Sequence, residues 1–195
     1  VKVSNAVDQV VSELIKVAVV TPKTAQPAKI VLQPEDSNVL VGENVTLRVI
    51  VDGTEPISYQ WYYKGKPIND ETNSTLSLNN VQRAASGNYY VVVSNEGYPW
   101  GATETSDTVT LTVETPPVIT QLTESITLAH GERVELSVTA AGDEPLTYQW
   151  GKGGSAIEGA TDRTLTLDTM SLSDAGDYTV TVTNAAGQIE SDVVT

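Results

Sequence analysis

The side chains that do chemistry in proteins are thinly spread in this 195-residue sequence. It holds one histidine, His130, and no cysteine, so neither a thiolate nor a zinc-type ligand set is available. A Ser/His/Asp constellation needs a strained nucleophile turn and a positioned base, and His130 stands beside Gly131 at a predicted turn with neither. The acidic pairs Asp70-Glu71 and Asp143-Glu144 are of the type that holds Ca²⁺ weakly, but the EF-hand spacing is absent and solvated loop charge accounts for them. Asn44-Val45-Thr46 and Asn73-Ser74-Thr75 match glycosylation acceptors, which a Thr-rich sequence produces by chance. No catalytic residue, cofactor or metal site is expected. What remains is aromatic: Tyr62, Tyr90, Tyr98 and Trp100 are of the residue types that dominate binding hot spots.

The elements that must carry these rings are strands. In Leu146-Thr147-Tyr148-Gln149-Trp150, Tyr148 and Trp150 are two apart and share one face of a strand. In Asp174-Ala175-Gly176-Asp177-Tyr178-Thr179-Val180, a Gly turn leads into Tyr178, Val180 and Val182, alternating with polar residues as in a half-buried strand. The same pair occurs earlier as Tyr59-Gln60-Trp61 and Gly87-Asn88-Tyr89, each at an offset of 89 residues. An internal repeat of this length makes two units, and the alignment runs without a gap from Pro27/Pro116 to Asn95/Asn184. Gly42 and Gly131 precede Val45-Leu47-Val49 and Val134-Leu136-Val138, while Leu76-Leu78 matches Leu165-Leu167.

The combination G-x-x-V-x-L, Y-Q-W, L-x-L and G-x-Y-x-V resembles the I-set type of immunoglobulin domain, over residues 27–195. The resemblance implies an all-β fold of two tandem sandwiches, residues 27–114 and 115–195, after an N-terminal segment of residues 1–26. It implies that Trp61 and Trp150 fill the cores and that Tyr89 and Tyr178 are tyrosine corners bonded to backbone upstream. It also implies that Asp174 pairs with Arg163. The departure is that valines stand at both half-cystine positions, Val49 with Val91 and Val138 with Val180. They give up a crosslink of about 2–4 kcal/mol and keep burial of roughly 1.5–3 kcal/mol per side chain.

The repeats differ on the outer face of the sheet that holds the tryptophan. If Trp61, Tyr89 and Val91 face inward, then Tyr62, Tyr90 and Val92 face outward, where the second copy has Gly151, Thr179 and Thr181. After Asn95 the first copy also inserts four residues, within Glu96-Gly97-Tyr98-Pro99-Trp100-Gly101. The first unit is thus expected to carry Tyr62, Tyr90, Tyr98 and Trp100 on or beside one outer face. Such a patch binds a partner, is covered by the N-terminal segment, or clamps the neighbouring unit through Trp100.

In residues 1–26, Val7, Val10, Val11, Leu14 and Ile15 fall at the spacing of an amphipathic helix, with Val17 on its edge. Valine-rich composition keeps a strand open over Ile15–Val20. Three lysines against Asp8 and Glu13 leave this segment at +1, so the remainder carries −15 of the total −14. The segment is read as an anchor into a larger assembly or as packing on the neighbouring sandwich, with Thr21–Pro27 as linker. The acidic remainder opposes phosphate backbones, so nucleic acid is not expected as a partner. No run approaches the roughly 18 apolar residues of a membrane span, so membrane insertion is not expected. Absence of cysteine favours folding in a reducing compartment. The Pro-rich junction Glu114-Thr115-Pro116-Pro117 is expected to limit bending. The second copy ends at the equivalent of Thr110, so its last strand is expected to be cut short.

Tandem sandwiches behind an anchor resemble the Hoc-type head decoration proteins of tailed bacteriophages. That resemblance implies a non-enzymatic virion-surface protein, held to a viral capsid or other assembly by its N-terminus and touching bacterial surface glycan. The alternatives are a stalk or adhesin module at a bacterial cell surface or secreted, and an accessory pair of a larger glycan-active enzyme.

Overall fold

The computed structural model describes residues 2–4, 9–11, 25–95 and 102–195, and it is all-β apart from two short 3₁₀ turns, Arg83–Ala85 and Leu172–Asp174. In the first sandwich one layer pairs Lys29–Leu32 with Ile50–Asp52 and Val45–Arg48 with Thr75–Leu78. The facing sheet runs Ser37–Leu40, Val109–Glu114, Gly87–Asn95, Ser58–Tyr63 and Lys66–Pro67, with Ala102–Thr105 also paired to Gly87–Asn95. In the second sandwich Val118–Leu122, Val134–Ala141 and Thr164–Leu167 form one layer. The other runs Ser155–Ala156, Thr147–Lys152, Tyr178–Asn184 and Gly187–Glu190.

The alternation in sequence becomes alternation in burial. Along Gly87–Asn95, Tyr89, Val91, Val93 and Asn95 are buried and the residues between them are not. Val91 lies opposite Trp61, and Val180 opposite Trp150, so each tryptophan is closed over by the neighbouring strand and is fully buried. The indole N–H groups donate to the carbonyls of Asn73 and Asp162 at 2.9 and 3.0 Å, so burial leaves no orphan donor. Val49 and Val138 share these cores with Val91 and Val180, all four buried, so packing alone closes both sandwiches.

A polar clamp ties the entry of each unit to its far end. Asn95 is fully buried; it accepts the amide of Ala28 at 3.2 Å and donates to the carbonyls of Gln26 and Thr54 at 2.7 and 3.0 Å. Its repeat partner Asn184 donates to the carbonyls of Thr115 and Asp143 at 2.9 and 3.0 Å, and Asp143 accepts the amide of Thr115 at 2.9 Å. Gly53 and Gly142 make room for the entering chain. A Cβ at either would stand 3.0 Å from the backbone of Ala28 or Pro117, and their φ of +149° and +151° suit glycine. The junction residue Thr115 is thereby fixed to the second sandwich, and Arg83 of the first reaches Asp143 as an ion pair.

The helix expected over the N-terminal stripe is not what its described part shows. Gln9–Val11, which holds Val10 and Val11, is a strand paired antiparallel with Lys2–Ser4, Val3 opposite Val10. Consecutive β-branched residues favour extended backbone over the helical spacing that the stripe also satisfies. Val7, Leu14, Ile15 and Val17 lie outside the described residues. Among the described residues no helix is long and apolar enough to cross a membrane.

Candidate functional site

The residues with chemical potential are accounted for by structure. Among the described residues no three His, Asp or Glu side chains gather as a metal site. His130 is exposed at its turn, and Asp143 is spent on the amide of Thr115 and on Arg83. Asp174 is not paired with Arg163. It is the third residue of a 3₁₀ turn, where its Oδ2 accepts the hydroxyl and the amide of Ser171 at 2.6 and 2.9 Å. These bonds, helped by Lys152, hold its carboxyl below the usual carboxylate value. A partner three residues away is reached at lower entropic cost than one across the sandwich. Arg163 instead lies 5.7 Å from the Tyr148 ring centroid and 3.9 Å from Glu144.

Both tyrosine corners form. Tyr89 donates to the carbonyl of Ala85 at 2.8 Å and Tyr178 to that of Asp174 at 2.7 Å. Burial, with Tyr63 adding to it, pushes the Tyr89 hydroxyl up to about 12. The sequence reading missed the partner beside each corner. Tyr63 packs on Tyr89 with centroids 4.8 Å apart, and its hydroxyl meets the carbonyls of Ala84 and Ser86. At the equivalent place Lys152 lies over Tyr178 and donates to the carbonyl of Ser173 at 2.5 Å. A phenol and an ammonium thus do one job, capping the carbonyls of the turn and covering the corner ring. Residue type hides the equivalence; only the repeat offset reveals it.

The aromatic face is the remaining site. Tyr62 and Tyr90 face each other across Ser58–Tyr63 and Gly87–Asn95, their rings stacked with centroids 4.8 Å apart and planes within 4°. Both are half-buried and point away from the core, as strand alternation predicts. Pro67 lies opposite Tyr62 on the next strand, and Val92 stands on the same outer face as Tyr90. Gln60 donates to the carbonyl of Ile68 at 2.8 Å, as Gln149 does to that of Ile157 at 2.8 Å, so this part of the face is tied to the residue that follows the neighbouring short strand. The second sandwich has Gly151 opposite Thr179 where the tyrosines stand. Tyr98 and Trp100 lie outside the described residues, in the connection between Asn95 and Ala102, which pair as the ends of their hairpin. The structure therefore brings together two of the four aromatic residues expected at the face.

Comparison with known proteins bears on the fold and on the company it keeps. The family described as "Immunoglobulin domain" matches residues 27–95 and 116–184, the two stretches that repeat without a gap. Hemicentin-1 of Homo sapiens is 29% identical over 175 residues, covering 83% of this chain and 3% of that protein. Cell adhesion molecule DSCAM of Gallus gallus is 27% identical over 179 residues, covering 85% of this chain and 8% of its own length. This chain spans 3–11% of the length of the curated relatives it matches. Among solved structures, immunoglobulin domains 1–4 of Sidekick-1 superpose with a TM-score of 0.69 at 21% identity, covering 90% of this chain and 50% of that one. That likeness is one of fold. Hemicentin-1 and DSCAM are animal proteins, the second named for cell adhesion, and neither supports the phage decoration or the bacterial surface setting expected from the sequence. With two cores built to one plan and a family match over both repeats, the chain belongs to the immunoglobulin domain family.

Proposed function

We propose that this chain is a non-enzymatic adhesion segment at a cell surface or in the extracellular space, and that its first sandwich binds a protein partner through the outer face around Tyr62 and Tyr90. The observation that carries the reading is the stacked, half-buried tyrosine pair on a sheet face whose counterpart in the second sandwich is bare. Rigid aromatic rings give large contact area at low entropic cost, which suits a hot spot. The adhesion name among the relatives supports the class of partner.

Virion display has one feature in its favour, the absence of cysteine, which suits folding in a reducing compartment. One experiment separates the two. Fluorescently labelled chain is applied to cells of the source organism and, in parallel, co-sedimented with virus particles from the same source. Saturable binding to cells that is lost with Tyr62→Ser/Tyr90→Thr supports the adhesion reading. Retention on particles without cell binding overturns it in favour of decoration.

A further inference from the structure

The two sandwiches meet at one peptide group. The carbonyl of Glu114 accepts the amide of Val41 at 2.9 Å, and the amide of Thr115 donates to Asp143 Oδ2 at 2.9 Å. The peptide that joins Glu114 to Thr115 is thus bonded to the first sandwich through its oxygen and to the second through its nitrogen. A peptide is planar, so only the torsions on either side of it are left to change the angle between the units. Pro116 and Pro117 come after it, against Gly142 of the second sandwich, and are not the hinge.

The repeats differ at the two residues that span this joint. Thr54 of the first closes a ring with the entering chain: its hydroxyl accepts the amide of Gln26 at 2.8 Å, and its amide donates to the carbonyl of Gln26 at 3.1 Å. Asp143, its repeat partner, closes the same ring with Thr115, its amide donating to the carbonyl of Thr115 at 3.0 Å. A hydroxyl brings one oxygen to this ring and a carboxylate brings two. The second, Oδ1, is shielded from water and meets the Arg83 guanidinium of the first sandwich. Arg83 has Leu172 as its repeat partner, so the cation too is particular to the first copy. Its mount is fixed. Arg83 opens the turn Arg83–Ala85, where the carbonyls of Ala84 and Ala85 take the hydroxyls of Tyr63 and Tyr89. Ser86 accepts the amide of Val113 at 3.0 Å, which ties the turn to the strand that leads into the joint.

We propose that Arg83 and Asp143 form a latch that locks the two sandwiches at one angle, and that ionic strength releases it. An exposed ion pair is too weak to order a free linker. Here the chain is already fixed on both sides of a single peptide, so the pair has only to select among the few angles that two torsions allow. Opening also leaves Asp143 Oδ1 covered and unpaired unless the units turn apart to wet it. The Arg83 side chain is 65% exposed and that of Asp143 22%, so salt reaches the pair from the arginine side. The lock fixes the direction of the Tyr62–Tyr90 face relative to the second sandwich, and it holds whatever that face binds.

The chain has no cysteine, so Thr46→Cys and Glu158→Cys, both at exposed positions, place one spin label on each sandwich. Pulsed electron dipolar spectroscopy then reads the distribution of distances between the units. It is applied to the labelled parent, to Asp143→Thr, which keeps the ring as Thr54 makes it, and to Arg83→Leu, which takes the residue of the second copy. The parent is expected to give one narrow distribution at about 0.01 M salt. Each variant should broaden it roughly twofold or more, and the double variant no further than either single one. Raising salt to about 1 M should broaden the parent and leave Arg83→Leu unchanged. Arg83→Leu, at an exposed position, carries the test if Asp143→Thr disturbs the fold. A parent distribution as broad as that of Arg83→Leu would overturn the latch. So would broadening by Asp143→Thr alone, which assigns the lock to the ring around Thr115. A parent that stays narrow at about 1 M salt would overturn release by ionic strength.

Discussion

Tyr62 and Tyr90 stack across neighbouring strands, centroids 4.8 Å apart and planes within 4°, on the outside of a sheet whose inside is closed by Trp61 and Val91. The two positions are next in sequence to buried core residues, yet the pair lies outside the buried core. Stacking of this kind adds about 0.5–1.5 kcal/mol beyond area burial. Tyr62→Ser/Tyr90→Thr is therefore expected to lower the midpoint of the first sandwich only slightly, which calorimetry of the whole chain measures. Trp61→Ala, one residue away and facing inward, should cost about 3–5 kcal/mol.

The asparagine clamps predict a graded effect. Asn95→Ala removes the acceptor for the amide of Ala28 and the donor for two carbonyls at a fully buried position. Leaving such groups unpaired is expected to cost about 2–4 kcal/mol. Asn184→Ala, at a half-buried position that water can reach, should cost about half as much. Denaturant unfolding of each variant, followed by the fluorescence of Trp61 or Trp150, distinguishes the two transitions.

Tyr89 gives a signature at alkaline pH. Its hydroxyl is raised from 10.0 to about 12 by burial and by Tyr63. A raised acid favours the neutral form in the folded state, so its contribution to stability is complete below 10.0 and is lost as pH rises toward about 12. Tyr89→Phe should destabilise by about 1 kcal/mol at neutral pH through loss of the bond to Ala85. The same change should flatten the alkaline fall of the first transition, followed by absorbance and melting from pH 9 upward.

Asp174 gives the opposite signature. Its value is lowered from 3.8, chiefly by the hydroxyl and then by the amide of Ser171. A lowered acid contributes stability above its unfolded value, and that contribution is lost as pH falls below 3.8. Asp174→Asn should lower the midpoint of the second sandwich at pH 7, and the difference from the parent chain should shrink in acid. Arg163→Ala should leave this pH dependence unchanged, because Arg163 does not contact Asp174. Melting curves collected across the acid range check both statements.

Much of the fold was legible because β-sandwich sequences state their burial every second residue. Trp61, Tyr89 and Val91, with Trp150, Tyr178 and Val180, stand where alternation and the 89-residue offset put them. Other features were not legible, each for a physical reason. The N-terminal stripe satisfies helical spacing, but valine at 3, 7, 10 and 11 lowers helical preference, and the described part is strand. Asp174 has an acidic side chain with a cation in the expected region, yet the nearer Ser171 wins it by forming a local cap. Asn95 marks in sequence only the end of the gapless repeat, and its role depends on carbonyls 41 and 69 residues away in sequence. The exchange of Tyr63 for Lys152 is invisible to residue type altogether. At the aromatic face, alternation gave the outward direction of Tyr62 and Tyr90, whereas their stacking depends on cross-strand register, which only the paired strands define.

The central claim is that the first sandwich makes its contacts through the Tyr62–Tyr90 face. The most direct measurement is flow cytometry of labelled chain on source cells, comparing the parent, Tyr62→Ser/Tyr90→Thr, and Thr179→Ala/Thr181→Ala on the matching face of the second sandwich. Hot-spot truncation predicts at least a roughly 30-fold loss of affinity for the tyrosine variant and parent-like binding for the threonine variant, with both chains folded. Parent-like binding by the tyrosine variant would contradict the account and move the contact surface elsewhere on the chain.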